Sequence, residues 1–316
     1  MKRVASIHVY WGDKYGKPPK TLAEKIQDEK LAQEILQKIK GMRNVKVAEE
    51  GPNYCDLKIT GDESFRAVME ILQTASHLVG YSRAWKTYSR QELQAAPLLE
   101  WRLTNQAIED DYYDLKEDGY QGGPQASHRR CPACRAELEQ VRDLLVDTRL
   151  MGKRDLSLTY SFEIILSARL ARMLQEAGFT GFTLRPVWDY RKPYQGEPQL
   201  YQLVVTNVLP PMASPPTEFE QEQRCEVCGT ESRFLKHTHF WGRIQYYEET
   251  DIYYAREVLE QATDFNITSE RFGVLSASHP LVIISQRVYR WLKEQGIKGW
   301  SARPVYLVGS STLTSE

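Results

Sequence analysis

Four of the five cysteines stand in two pairs, Cys131-Pro132-Ala133-Cys134 and Cys225-Glu226-Val227-Cys228. Two residues between cysteines let one turn aim both sulfurs at a single metal ion, and four thiolates match the tetrahedral preference of zinc. The spacing predicts one shared Zn2+ held by Cys131, Cys134, Cys225 and Cys228. Four protein ligands leave no coordination position for water or substrate, so such an ion is structural. A rival arrangement fits the same residues: two separate sites, the first recruiting His128 and the second His237 or His239. Gly229 follows the second pair, where a glycine lets backbone amides fold toward sulfur. Arg135 holds the corresponding place after the first pair. The fifth cysteine, Cys55, reads as a core thiol in a strand.

Catalytic constellations are not visible. None of the six histidines is followed by x-Glu, and HExxH, GxSxG and a phosphate-cradling P-loop are all missing from the sequence. The expectation is a protein that is not an enzyme. Two stretches read as interaction surfaces. One is the acidic run Glu109–Asp118. The other is the tyrosine-rich segment 246–254, in which Tyr247, Glu248, Glu249, Asp251 and Tyr253 are the candidate contact residues. Tyrosine is enriched at interface hot spots, and carboxylates steer basic partners.

The elements that must position these residues fall into two expected domains, 1–105 and 106–316. The first reads as βαββαβ, a ferredoxin-like α/β sandwich. A strand near Arg3–Trp11 leads into a helix over 21–42 with Leu22, Ile26, Ala32, Ile35, Leu36 and Ile39 at helical spacing. Two strands around Gly51-Pro52-Asn53 follow, then a helix over 63–79 and a strand near Ala84–Tyr88. The second domain repeats itself. Residues 164–187 and 282–305 align without a gap, and eleven of the 24 positions are identical. Each copy predicts a strand, a serine N-cap, a helix stopped by glycine and a second strand. The fold class expected is therefore α+β, an α/β sandwich followed by a zinc-stapled domain of two strand-helix-strand units. Arg185 and Arg303, before proline in each copy, read as structural.

The net charge of −1 over 316 residues gives no global pull toward nucleic acid or acidic lipid. Residues 1–105 hold 17 Lys/Arg against 13 Asp/Glu, and residues 106–316 hold 24 against 29. No run of about 18 apolar residues is present to span a membrane. No apolar stretch follows the basic start to make a signal peptide. Paired cysteines without a signal peptide predict reduced, metal-binding thiols and a cytoplasmic location.

From about Tyr112 onward the chain resembles the bacterial immunity proteins with a double CxxCG motif, a paralogous family of myxobacteria. The resemblance rests on the run 112–118 leading into Cys131-Pro132-Ala133-Cys134, on Cys225-Glu226-Val227-Cys228-Gly229, and on the closing unit that ends Gly299-Trp300-Ser301-Ala302-Arg303-Pro304-Val305. It covers about two thirds of the chain, and the first hundred residues stand outside it. Arg135 departs from the glycine of the first motif. The resemblance implies an antidote that binds and neutralises a cognate protein toxin, without catalysis. The acidic C-terminal half fits a basic toxin. A zinc-ribbon nucleic-acid-binding or regulatory protein is the alternative, and it would require a basic stripe with exposed aromatics.

Overall fold

The computed structural model describes residues 2–11, 20–105 and 127–309. The acidic run Glu109–Asp118 lies outside them. In chain order come β1 (Lys2–Tyr10), α1 (Leu22–Lys40), β2 (Val45–Gly51), β3 (Tyr54–Thr60), α2 (Asp62–Gln73) and β4 (Val79–Thr87). After α3 (Arg90–Ala95) and β5 (Leu98–Leu103), the hairpin β6 (His128–Arg130) and β7 (Glu137–Gln140) brackets the first cysteine pair. Next are β8 (Leu144–Val146), β9 (Leu156–Leu158), β10 (Ile164–Ser167), α4 (Ala168–Glu176), β11 (Phe182–Asp189) and β12 (Leu200–Val205). The hairpin β13 (Phe219–Arg224) and β14 (Glu231–Leu235) brackets the second pair, followed by β15 (Thr238–Trp241) and β16 (Ile244–Tyr247). The chain closes with β17 (Ile252–Ala255), β18 (Phe265–Ile267), β19 (Val282–Ser285), α5 (Gln286–Glu294) and β20 (Trp300–Val308).

The fold is mixed α+β, in two compact units that differ from the expected boundary at residue 105. Unit 1 comprises Met1–Arg90 with Lys236–Thr250, and unit 2 comprises Gln91–Leu235 with Asp251–Glu316. The hairpin β15–β16 joins the N-terminal unit because β16 pairs with β4 at Tyr247↔Arg83. The strand β5 joins the other unit because its partners are β19 and β20.

Unit 1 has one sheet in the order β15-β16-β4-β1-β3-β2. Strand alternation sends Ala5, Ile7 and Val9 to one face, opposite Ile59, Leu57 and Cys55 of β3. There they meet Ile35, Leu36 and Ile39 of α1 and Phe65, Met69 and Leu72 of α2 in a closed apolar cluster. Cys55 is fully buried, and burial pushes its thiol pKa up, as suits a core thiol. Helix α1 starts at a capping box in which Glu24 N–H donates to Thr21 Oγ1 at 3.3 Å. Its buried stripe begins at Ala32, while Leu22 and Ile26 are 74% and 58% exposed. Helical spacing alone had assigned those two to the core; the first turns of α1 stand out from it.

Unit 2 holds two five-stranded sheets, ordered β8-β11-β12-β10-β9 and β17-β20-β5-β19-β18. Both are built around a strand-helix-strand segment, β10-α4-β11 and β19-α5-β20. In each, the two strands of the segment do not pair directly but flank a third, β12 or β5. Gln202 opposes both Ile165 and Arg185, and Glu100 opposes both Ile283 and Arg303. The third strand comes from different places: β12 directly follows its segment, and β5 precedes its own by most of the chain. Both central strands are followed by Thr-Asn. Thr206 N–H donates to Gly181 O and Thr104 N–H to Gly299 O, each at 2.9 Å. Gly181 and Gly299 have φ of +88° and +87°, and a Cβ there would lie 2.1 Å from Phe265 O or 1.9 Å from Asn105 Nδ2. Only glycine fits either position.

The identical serines and arginines of the two segments have a common partner type. Ser167 and Ser285 cap α4 and α5 by accepting from the N–H of Leu170 and Val288. Each hydroxyl donates to an aspartate entering the neighbouring edge strand, Asp155 at 2.8 Å and Asp264 at 2.9 Å. Arg169 and Arg287 ion-pair with the same two carboxylates.

Candidate metal centre

The cysteine pairs sit at the tips of β6–β7 and β13–β14, where the sequence folds into two matching turns. Cys131 N–H donates to Ala136 O at 3.0 Å and Arg135 N–H to Cys131 O at 2.8 Å. In the second turn Cys225 N–H donates to Thr230 O at 2.9 Å and Gly229 N–H to Cys225 O at 2.8 Å. The turn requires a left-handed residue at its fifth position: Gly229 has φ 72° and Arg135 φ 63°. Arg135 thus takes the glycine conformation despite its side chain, which costs an L-residue roughly 1–2 kcal/mol. Replacing it should therefore help. Arg135→Gly is expected to leave metal content unchanged and to raise stability by about 1 kcal/mol, read from denaturant midpoints. A loss of metal in that variant would show that the arginine itself supports the site.

The two turns close on each other. Cys131 Sγ lies 3.9 Å from Cys225 Sγ, and Cys134 Sγ lies 3.6 Å from Cys228 Sγ. All four sulfurs fall within 4.8 Å of one another, so they could hold one metal ion such as zinc. Cys131 and Cys225 are buried and the other two half-buried. The thiols are electrostatically unequal. The hydroxyl and backbone N–H of Thr230 pull Cys228 down to about 6, whereas burial pushes Cys134 up to about 12. Neighbouring thiols resist joint ionisation, and a divalent cation among them would relieve that.

The histidines named by the rival arrangement lie elsewhere. His128 turns to Glu163, its Nε2 3.2 Å from the carboxylate, and His237 and His239 stack on Tyr247 and Tyr246 in unit 1. A second cluster, His128 with Glu137 and Glu163, was not visible in the sequence because its members come from three separate strands or loops. Burial pulls the His128 pKa down, but Glu163 and Glu137 outweigh it and leave it raised. Gln202 Nε2 donates to Glu163 at 2.6 Å and Arg130 pairs with Glu137, so these groups already satisfy one another.

The tyrosine-rich segment divides between the units. Glu248 is buried and makes a two-pronged ion pair with Arg3, at 2.9 and 3.0 Å. Asp251 is buried as well. The Glu248 carboxylate is held by a cation from β1 that sequence proximity does not reveal, and the burial of both residues weighs against their reading as contact residues. Glu249 is exposed, and Tyr247 and Tyr253 are half-buried, stacked on Tyr81 and Tyr306. Among the described residues no helix is long and apolar enough to cross a membrane. Neither a protein-family model nor a curated protein matches the chain.

Proposed function

We propose that this chain is a non-enzymatic immunity protein that binds and neutralises a cognate bacterial toxin in the cytoplasm, with one structural zinc ion in the four-thiolate centre. The observation that carries the reading is the closure of the two CxxC turns on each other, which brings together the two motifs on which the double-CxxCG resemblance rests. Regular tetrahedral coordination with Zn–S of 2.3 Å places sulfurs about 3.8 Å apart, beside the 3.6 and 3.9 Å found. All four positions would be filled by protein, so the ion would join the two hairpins and leave chemistry to neither. On this reading unit 1 is a ferredoxin-like sandwich extended by a hairpin, and segments 164–187 and 282–305 are copies of one unit.

Unit 2 carries 23 Lys/Arg against 29 Asp/Glu, a balance that favours a basic toxin over nucleic acid as the partner of the zinc-bearing part. The test is co-expression with a toxin encoded beside the gene, in a sensitive host. Survival is expected with the intact protein and killing with Cys225→Ser plus Cys228→Ser. Unchanged killing beside folded, soluble, intact protein rejects the immunity reading.

A further inference from the structure

The sheet of unit 1 has a second face that the apolar cluster does not use. With Ala5, Ile7 and Val9 turned to the helices, alternation turns Ser6, His8 and Tyr10 of β1 the other way. Tyr10 is directly opposite Tyr54 of β3, and His8 is opposite Asp56. The rings form a continuous group: His8 lies 5.9 Å from Tyr10 and 5.5 Å from Tyr54, nearly parallel to both. A second group follows on β4 and β16, where Tyr81 and Tyr247 stack at 5.6 Å. Tyr81 and Trp85 are 59% and 38% exposed, so this is not a closed core.

Charge accompanies the aromatics. Arg83 pairs with Ser6 and Lys46 with Lys58, which places their side chains on the same face. All three are exposed and make no ion pair among the described residues. Unit 1 as a whole carries 18 Lys/Arg against 13 Asp/Glu, although the chain is net negative. Two carboxylates on the face are engaged: Asp56 with His8 Nδ1 at 2.5 Å, and Glu49, which accepts from the Tyr54 hydroxyl at 2.6 Å.

We infer that this face binds single-stranded nucleic acid. Aromatic rings on the two middle strands of a four-stranded α/β sheet are where unpaired bases stack, because every base has a π-face. Here β1 and β3 stand side by side, flanked by β4 and β2, within the six-stranded order β15-β16-β4-β1-β3-β2. Tyr10, Tyr54, Tyr81 and Tyr247 supply the stacking surfaces, and Lys46, Lys58 and Arg83 meet the phosphates. A duplex hides its base faces and so does not gain from this surface. The net charge of −1, which gives no global pull toward nucleic acid, belongs to the whole chain and does not describe this unit. The inference is independent of the immunity reading.

The test is fluorescence anisotropy of the full chain with labelled 12-nucleotide mixed-sequence single-stranded RNA, single-stranded DNA and the corresponding duplex. Single strands are expected to bind and the duplex at least tenfold more weakly. The RNA and DNA arms show whether the 2′-hydroxyl is read. Tyr81→Ala, an exposed change that spares the core, should weaken binding about tenfold, and Tyr54→Ala by a similar factor. Lys58→Gln with Arg83→Gln should flatten the dependence of log affinity on log salt by about 0.7 per lost phosphate contact. Equal affinity for duplex, or full affinity in folded Tyr81→Ala and Tyr54→Ala proteins, overturns the stacking assignment. No binding of either single strand at about 100 µM overturns the inference and leaves the face to a protein partner.

Discussion

Chelation of the metal is expected to unfold unit 2 while unit 1 keeps its structure. Structural zinc in small domains contributes on the order of 10–16 kcal/mol of apparent binding energy near neutral pH. The net stability of a whole domain is about 5–15 kcal/mol. The four ligands lie on two hairpins separated in sequence, and all belong to unit 2. Loss of the ion would free both hairpin tips, with no bond left to join the four sulfurs. Native protein should contain about one zinc per chain, and Cys225→Ser with Cys228→Ser should remove it along with the cooperative transition of unit 2. Two ions per chain, or one ion left in the double variant, would return the separate-site arrangement to favour. Metal analysis beside thermal unfolding followed by circular dichroism decides between them.

The next largest effect is expected at Glu100. Its Oε2 accepts from Arg303 Nε at 2.7 Å and its Oε1 from Arg102 Nε at 2.8 Å. The side chains of Glu100 and Arg303 are 3% and 7% exposed. Removing one member of a buried ion pair strands the other charge in a low-dielectric setting and typically costs about 3–5 kcal/mol. Glu100→Ala should lose that amount in denaturant titrations. Glu100→Leu combined with Arg303→Met should recover most of it, because the desolvation cost leaves with the pair. The corresponding arginine of the other sheet is a control. Arg185 Nε lies 3.7 Å from Asp143, half-exposed, so Arg185→Ala should cost less than about 1 kcal/mol. Equal losses in Glu100→Ala and Arg185→Ala would mean that burial does not set the contributions of the two ion pairs.

The local chemistry was legible in the sequence, and the long-range pairing was not. CxxC spacing selected the four cysteines that converge, since two residues between sulfurs is a constraint written within one turn. Ser167 and Ser285 were legible as caps for the same reason. The partner strands β5 and β12 carried no such mark. Leu98–Leu103 was not read as a strand, and nothing local says that it pairs with residues near 283 and 303. The burial of Glu248 was not legible because the residue that neutralises it, Arg3, stands 245 positions away. The hairpin 236–250 was assigned to the wrong unit on the same ground: its pairing with β4 is a tertiary fact. The glycine missing from the first cysteine turn was legible as an anomaly, and the left-handed Arg135 explains how the turn forms without it.

The placement of β5 has a consequence for biosynthesis. A ribosome releases this strand early, but the edges that take it in, β19 and β20, emerge only about 180 residues later. Until then β5 remains an unpaired apolar strand in a chain still under construction. Unit 1 waits too, since β16 reaches β4 only after some 245 residues have been made. The nascent chain must therefore hold two unfinished sheets at once. A ribosome stalled before Trp300 leaves β5 without the partner on one side, and such truncated products are expected to be substrates for chaperones and proteases rather than for slow refolding.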